Sequence, residues 1–364
     1  MTRLEAHWQI PVPKSFAALY AAEDGAQIGA AEFYPMRGLL SDEGREPGML
    51  PQFLPFADTE AGEIAGFYVR TLEPAHAHPI LLWDREEDYY IPIAHSFDAF
   101  LGWCLVEGRY RLGDEVEDAG EAETKWMDAL RRLGLDADLL SGPPPRNERE
   151  RMELLMREPI GSAYAMLELG ASRMAARDLN AAAALFDAAV SAVPWFGDAH
   201  FLRAEEWRRA GNEGAAVDEW LRTLGCLQCL ATHTGLYDLG PDAPEEYIYV
   251  QAAKELHVRQ GSMPLEDAED PTWRLARHFD LLEDAQFHLE LASFYSRQGR
   301  TEYAERELLN ALTMGDGATL QDAYDGIIAL YRACGRTWDE ERCRRDRELL
   351  GRCSNTRKWG GGAE

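Results

Sequence analysis

Apolar and polar positions in the first third of the chain change period several times over short distances. From Phe16 to Ala22, Phe-Ala-Ala-Leu-Tyr-Ala-Ala has helical spacing, and Asp24-Gly25 supplies the left-handed stop that commonly ends a helix. Four short runs rich in β-branched and aromatic residues follow: Ala31–Pro35, Gly66–Arg70, Pro79–Trp83 and Tyr89–Ile93. Each is bounded by Gly, Pro or Asp. They predict strands of a single antiparallel sheet. Ser96 is then an N-cap for a closing helix that carries Phe97, Phe100, Leu101 and Leu105 along one side and ends near Arg109 to Leu112. The first module, 1–112, therefore reads as α+β, a sheet with flanking helices.

A connector occupies 113–159. Gly113 to Glu123 is rich in Asp, Glu and Gly and nearly free of large apolar residues, which predicts an exposed, mobile linker. Thr124–Leu135 then sets Trp126, Leu130 and Leu133 at helical spacing, while Pro143–Pro145 forbids helix and favours an extended path. A short docking helix between two hinges fits this order.

From 160 to 354 the period lengthens to that of an internal repeat. A 34-residue unit begun at Ala163 places Leu169-Gly170, Ala182, Phe186, Ala189 and Pro194 at the spacing of the tetratricopeptide family, which this stretch resembles. The next unit, from Gly197, sets Ala204, Trp207, Gly211, Ala216 and Trp220 at corresponding places. A third starts near Ala285, with Ala292, Tyr295, Gly299, Ala304, Leu308 and Ala311. A fourth, from Gln321, is degenerate and reads as a cap. Between Leu230 and Asp284 the phase is lost, although Pro244–Gln260 and Pro271–Leu282 still read as a helix pair. Small residues at the eighth and twentieth positions let paired helices approach, and stacked pairs make an all-α solenoid with a groove. The repeat phase assigns to that groove Tyr164, Leu167, Ala171 and Met174, then Asp198, Phe201, Glu205 and Arg208, then Gln286, Leu289, Ser293 and Ser296. An extended or helical peptide would suit such a lining; a scaffold that merely extends the molecule is the competing reading. The last residues, 355–364, are expected to be disordered.

The first module carries a second resemblance, distributed along Trp8 with Pro11 and Pro13, Asp24-Gly25, Phe33-Tyr34-Pro35, Phe56–Gly62, Pro79–Trp83 and Ala94–Phe97. This order and spacing is similar to the SUKH superfamily, whose bacterial members are mostly immunity proteins of toxin systems. The resemblance implies an α+β fold and a binding role, and it assigns no individual binding residue. Asp58 to Gly62 reads as a tight turn in which Asp58 bonds local amides and Gly62 adopts positive φ.

Composition narrows the partners. At 364 residues the chain exceeds what a single core usually spans, so two domains are expected. Its net charge of -27, from 64 acidic and 37 basic residues, opposes attraction to phosphate backbones and anionic membranes. A protein partner is expected, with a basic toxin domain steered by that charge as the candidate; nucleic acid and membrane are not. No stretch has the length and apolarity of a bilayer span, nor does the start read as a signal peptide, so the expected compartment is the cytoplasm. Cys104, Cys226, Cys229, Cys334, Cys343 and Cys353 are too sparse for a disulfide scaffold and read as reduced thiols. Cys226-x-x-Cys229 has redox and zinc spacing but lacks a second pair, and reads as structural. His76, His78 and His95 with Asp58 and Glu60 lack a ligand pattern for a metal. The acidic turn Glu86-Glu87-Asp88 reads as a solvated hairpin, and the run from Arg342 to Arg347 as a cluster that either pairs with the acidic body or stays solvated. With no P-loop, nucleophile elbow, dinucleotide fingerprint or metalloprotease motif, no catalytic residue, cofactor or metal is assigned. Two functions remain in view, an immunity protein and an intracellular adaptor that binds partners through its repeat groove.

Overall fold

The structure is a computed structural model that describes residues 3–42, 44–70, 78–112, 119–132, 143–240, 245–259 and 271–357. Helices α1 (Arg3–Trp8) and α2 (Lys14–Ala22) open the chain and a short α3 (Met36–Leu39) follows. Six strands, β1 (Gln27–Ile28), β2 (Ala31–Phe33), β3 (Phe53–Thr59), β4 (Ile64–Tyr68), β5 (Ile80–Trp83) and β6 (Tyr90–Ala94), form one sheet. Their order across the sheet is their order in the chain, every neighbour antiparallel. Helix α4 (Phe97–Leu112) closes the module, capped as expected by the Ser96 hydroxyl, which accepts from the Ala99 amide.

Strand β3 departs from the sequence reading, which gives a turn at Asp58–Gly62 and no strand before it. Pro55 cannot donate to a ladder, and a proline within a run argues against a central strand. Here Pro55 sits where the β3–β4 register shifts, so a bulge takes up the missing amide. The turn itself begins later. Gly62 has φ 95° and a Cβ there would meet nothing, so the backbone angle is what requires glycine. Asp58 does not bond local amides as expected: still a strand residue, paired with Ile64 and Glu32, it accepts from the Tyr34 hydroxyl at 2.8 Å and faces Arg85.

Both faces of the sheet are buried. Leu54, Phe56, Ala65, Phe67, Ile80, Leu82 and Ile93 point toward α2 and α4, where Phe16, Phe97 and Phe100 meet the Phe56 and Phe67 rings at centroid distances of 5.3 to 5.7 Å. The alternate residues Phe53, Ile64, Tyr68, Leu81, Trp83 and Tyr90 belong to a second core that they share with the C-terminal helices. An antiparallel sheet usually keeps one face in water; this one is a middle layer.

Helices α5 (Ala119–Arg132) and α6 (Glu148–Met156) connect the layers. Residues 119–123, expected as linker, form the first turn of α5, where Glu123 pairs with Arg109 at 3.0 Å and Trp126 and Leu130 dock against the first core. Beyond them lie α7 (Ala163–Ala175), α8 (Leu179–Ala192), α9 (Gly197–Arg209), α10 (Glu213–Gly225), α11 (Ile248–Arg259), α12 (Pro271–Arg277), α13 (Ala285–Arg297), α14 (Thr301–Met314), α15 (Gly317–Ala333) and α16 (Thr337–Arg357). They stack as a helical solenoid. The turns inside four pairs, two on each side of α11 and α12, share one geometry: Arg177, Gly211, Gly299 and Gly335 all have positive φ, and the amide of each next residue reaches back to Arg173, Trp207, Tyr295 and Tyr331. Close approach within a pair is equally explicit, since a Cβ on Gly170 would stand 2.4 Å from the Phe186 ring.

The last pair differs from expectation at both ends. Helix α15 starts at Gly317, four residues before the expected unit, and α16 continues to Arg357, past the point where disorder was expected. Residues 113–118 of the expected linker, Leu133 of the expected docking helix, the loop 261–270, residues 358–364 of the expected tail and His76 lie outside the described residues.

Candidate binding surfaces

The N-terminal module and the end of the solenoid are locked by buried polar contacts. Arg45 reaches Asp346 on α16 and also donates to the carbonyls of Leu50 and Phe53. The Trp338 indole, at the start of α16, lies in the first core and donates to the Trp8 carbonyl at 2.8 Å. The Tyr324 hydroxyl accepts from the Gly48 amide, and the Tyr331 hydroxyl from Gln52 Nε2. The arginine run on α16 pairs with the body: Arg342 faces Asp42 and Asp346, Arg345 donates to the His7 carbonyl, and Arg347 pairs with Asp325. Burial, joined by the like charge of Arg45, lowers the pKa of Arg342 below its usual range even though Asp346 and Asp42 oppose the shift. No local motif announces the pairing of Arg45 with Asp346 or of Trp338 with Trp8, which stand 301 and 330 positions apart.

The predicted groove residues separate into three settings. Phe201, Glu205 and Arg208, with Met174, line a cavity of about 680 Å³ between α9 and the segment leading to α11. Glu205 there accepts from Arg208 through both carboxylate oxygens. Gln286, Leu289, Ser293 and Ser296 line a separate cavity of about 910 Å³ along α13 and α15. Leu167, Ala171 and Asp198 are fully buried, and Tyr164 packs against Tyr237. Asp198 accepts from the Thr232 amide and hydroxyl and from the Tyr237 hydroxyl. Burial pushes its carboxyl up to about 6, with those three donors opposing the shift.

A repeated polar pair escaped the sequence reading. His200 and His288 hold the fourth position of their units; their Nδ1 atoms face Glu219 and Glu307 at 2.7 and 2.5 Å, and their Nε2 atoms face the carbonyls of Pro194 and Leu282, both at 2.9 Å. Both are buried. Burial alone would raise Glu307, but Arg306 and His288 outweigh it and hold its carboxyl below the usual range. The signal was present as the same nineteen-residue spacing from His to Glu in two units, and it serves helix packing.

Of the other candidates, His78 and His95 line one cavity, while the carboxylates Asp58 and Glu60 face Arg85 and Arg111. His78 is buried, whereas His95 faces the Ile160 carbonyl. Among the described residues no three His, Cys, Asp or Glu side chains gather as a metal site. Cys104, Cys226, Cys229, Cys334 and Cys343 form no disulfide. Burial pushes the Cys226 and Cys229 thiols up to about 12, which suppresses thiolate chemistry. In the acidic hairpin Asp84 accepts from the amides of Glu86 and Glu87, and Glu87 receives the Tyr247 hydroxyl from the solenoid. Among the described residues no helix is long and apolar enough to cross a membrane.

Among known families, residues 1–103 match the SMI1 / KNR4 family (SUKH-1). This range runs from α1 into α4 and includes all six strands, so the N-terminal unit is an SMI1/KNR4 (SUKH-1) domain and the solenoid lies beyond the matched range. No curated protein matches the chain.

Proposed function

We propose that this chain is a non-catalytic binding protein of the bacterial cytoplasm that neutralises a toxin effector. The observation that carries the reading is the SUKH-1 domain at 1–103, because such domains are commonly immunity proteins and usually non-catalytic. The charge of -27 favours a basic partner, whose approach it would accelerate and whose binding salt would weaken. With both faces of the sheet buried, the partner meets strand edges, hairpins or the outer surface of the solenoid, not an open sheet face.

A second reading, an adaptor that holds a peptide segment in tetratricopeptide-like repeats, draws support from one observation: the cavity containing Phe201, Glu205 and Arg208 combines an apolar wall with a fixed ion pair. Capture of partners by the tagged full chain from host lysate, followed by co-expression of the strongest partner in a growth assay, separates the two. Rescue of growth, with a dissociation constant on the order of nanomolar or below that rises with salt, supports neutralisation. A non-toxic partner lost on Phe201→Ala or Arg208→Ala favours the adaptor. Tight binding that is indifferent to salt would contradict steering by the acidic surface.

A further inference from the structure

A cavity of about 710 Å³ opens where the sheet meets the solenoid, and both contribute its walls. Its size falls among sites for small organic ligands, which favour domain interfaces. Its lining carries the guanidinium groups of Arg70, Arg222, Arg306 and Arg336 against the carboxylates of Glu302 and Glu305, a local excess of positive charge in a strongly acidic chain. Arg222 and Arg336 are positioned by Glu219 and Glu305 at 2.6 and 2.7 Å. Arg70 lies over the Trp195 ring, 5.4 Å from its centroid, and among the described residues no carboxylate pairs with it. Deeper in, Tyr68, Leu230 and Leu309 supply apolar wall. One polar group there is unsatisfied: Gln52 is 5% exposed, its Nε2 donates to Tyr331, and its Oε1 is buried without a partner. Such an acceptor is costly in a folded protein unless something donates to it.

We propose that this cavity binds a small organic anion. Its flat apolar body lies against Tyr68, Trp195 and Leu309, its acidic head meets Arg70 and Arg222, and an N–H or O–H of the ligand reaches Gln52 Oε1. Carboxylate or phosphate heads satisfy the guanidinium pair through charge-assisted hydrogen bonds. The site does not depend on whether the chain neutralises a toxin. Because the walls come from both modules, a ligand held there favours their docked arrangement.

The test uses the full chain and 8-anilinonaphthalene-1-sulfonate, a flat anion with one N–H, followed by fluorescence and displaced with 1-naphthoate or with inorganic phosphate. One saturable site is expected, displaced by naphthoate and not by phosphate alone. Arg70→Gln together with Arg222→Gln should weaken binding roughly tenfold. Gly225→Leu should weaken it at least as much by projecting into the cavity that Gly225 lines, where an added Cβ meets nothing within 4 Å. Arg131→Gln, on the distant surface of α5, should change nothing. The proposal is overturned if the native chain shows no saturable site, or if binding is the same in the double arginine variant and in Gly225→Leu while both keep the native thermal midpoint.

Discussion

Arg45 and Asp346 stand 301 positions apart in the chain and form one ion pair, Nε to Oδ1 at 2.9 Å, with side chains 0% and 1% exposed. The pair ties the segment between α3 and β3 to the last helix of the solenoid. Removing one partner of a buried pair leaves an uncompensated charge, which typically costs about 3–5 kcal/mol. Asp346→Ala is therefore expected to lower stability by that order in urea denaturation. Asp346→Asn, which retains an acceptor for the guanidinium, should lose less. A loss in Asp346→Ala no larger than that of an exposed pair, under about 1 kcal/mol, would show that the contact does not hold the modules together.

Gly170 and Phe186 test the repeat packing. The Phe186 ring is fully buried and a methyl group on Gly170 would overlap it, so Gly170→Ala should cost about 1–3 kcal/mol through overpacking. Phe186→Leu in the same chain should recover part of the loss. Gly211→Ala behaves differently: its Cβ would meet nothing, but φ is 82°, and the cost of about 1–2 kcal/mol should persist whatever its neighbours are.

Asp198 gives a pH signature with a definite sign. Its folded pKa near 6 exceeds the ordinary 3.8, so between these values the native state holds more protons than the unfolded state. The contribution of Asp198 to stability is then fully present below about pH 4 and declines as pH rises toward 6, by on the order of 3 kcal/mol. Comparing wild type with Asp198→Asn by denaturation across this range isolates the term. A difference that grows in favour of the wild type with rising pH would contradict the assigned burial.

Residues 1–112 expressed alone should behave poorly. Cutting away the solenoid bares Phe53, Ile64, Tyr68, Leu81, Trp83 and Tyr90 on one sheet face. Six large apolar side chains together exceed the few hundred Å² that soluble monomers usually expose. Light scattering should show association of this fragment at concentrations where the full chain stays monodisperse; a stable, monomeric fragment would mean the second face tolerates water.

Much of this architecture is legible in local pattern, and what is not legible has physical reasons. Ser96, Gly62 and the glycine-terminated repeat turns are found from sequence because each answers a backbone requirement within a few residues. Strand β3 is masked by Pro55, which a bulge accommodates. The run Ile80-Leu81-Leu82-Trp83 does not alternate, a sign of burial on both faces, but the helices that share its second core begin only at Ala163. The repeat phase alone places Asp198 in an open groove. The irregular segment carrying Thr232 and Tyr237 folds over it and makes it core, and no periodicity predicts that. The contacts of Arg45 and Trp338 are likewise invisible to any short window.

The SUKH-1 sheet and the solenoid share a core and are expected to unfold as one body. Calorimetric unfolding of the full chain tests it most directly. A single transition whose calorimetric and van't Hoff enthalpies agree, shifted as a whole by Asp346→Ala, is the predicted result. Two resolved transitions, with Asp346→Ala moving neither or only one of them, would contradict it.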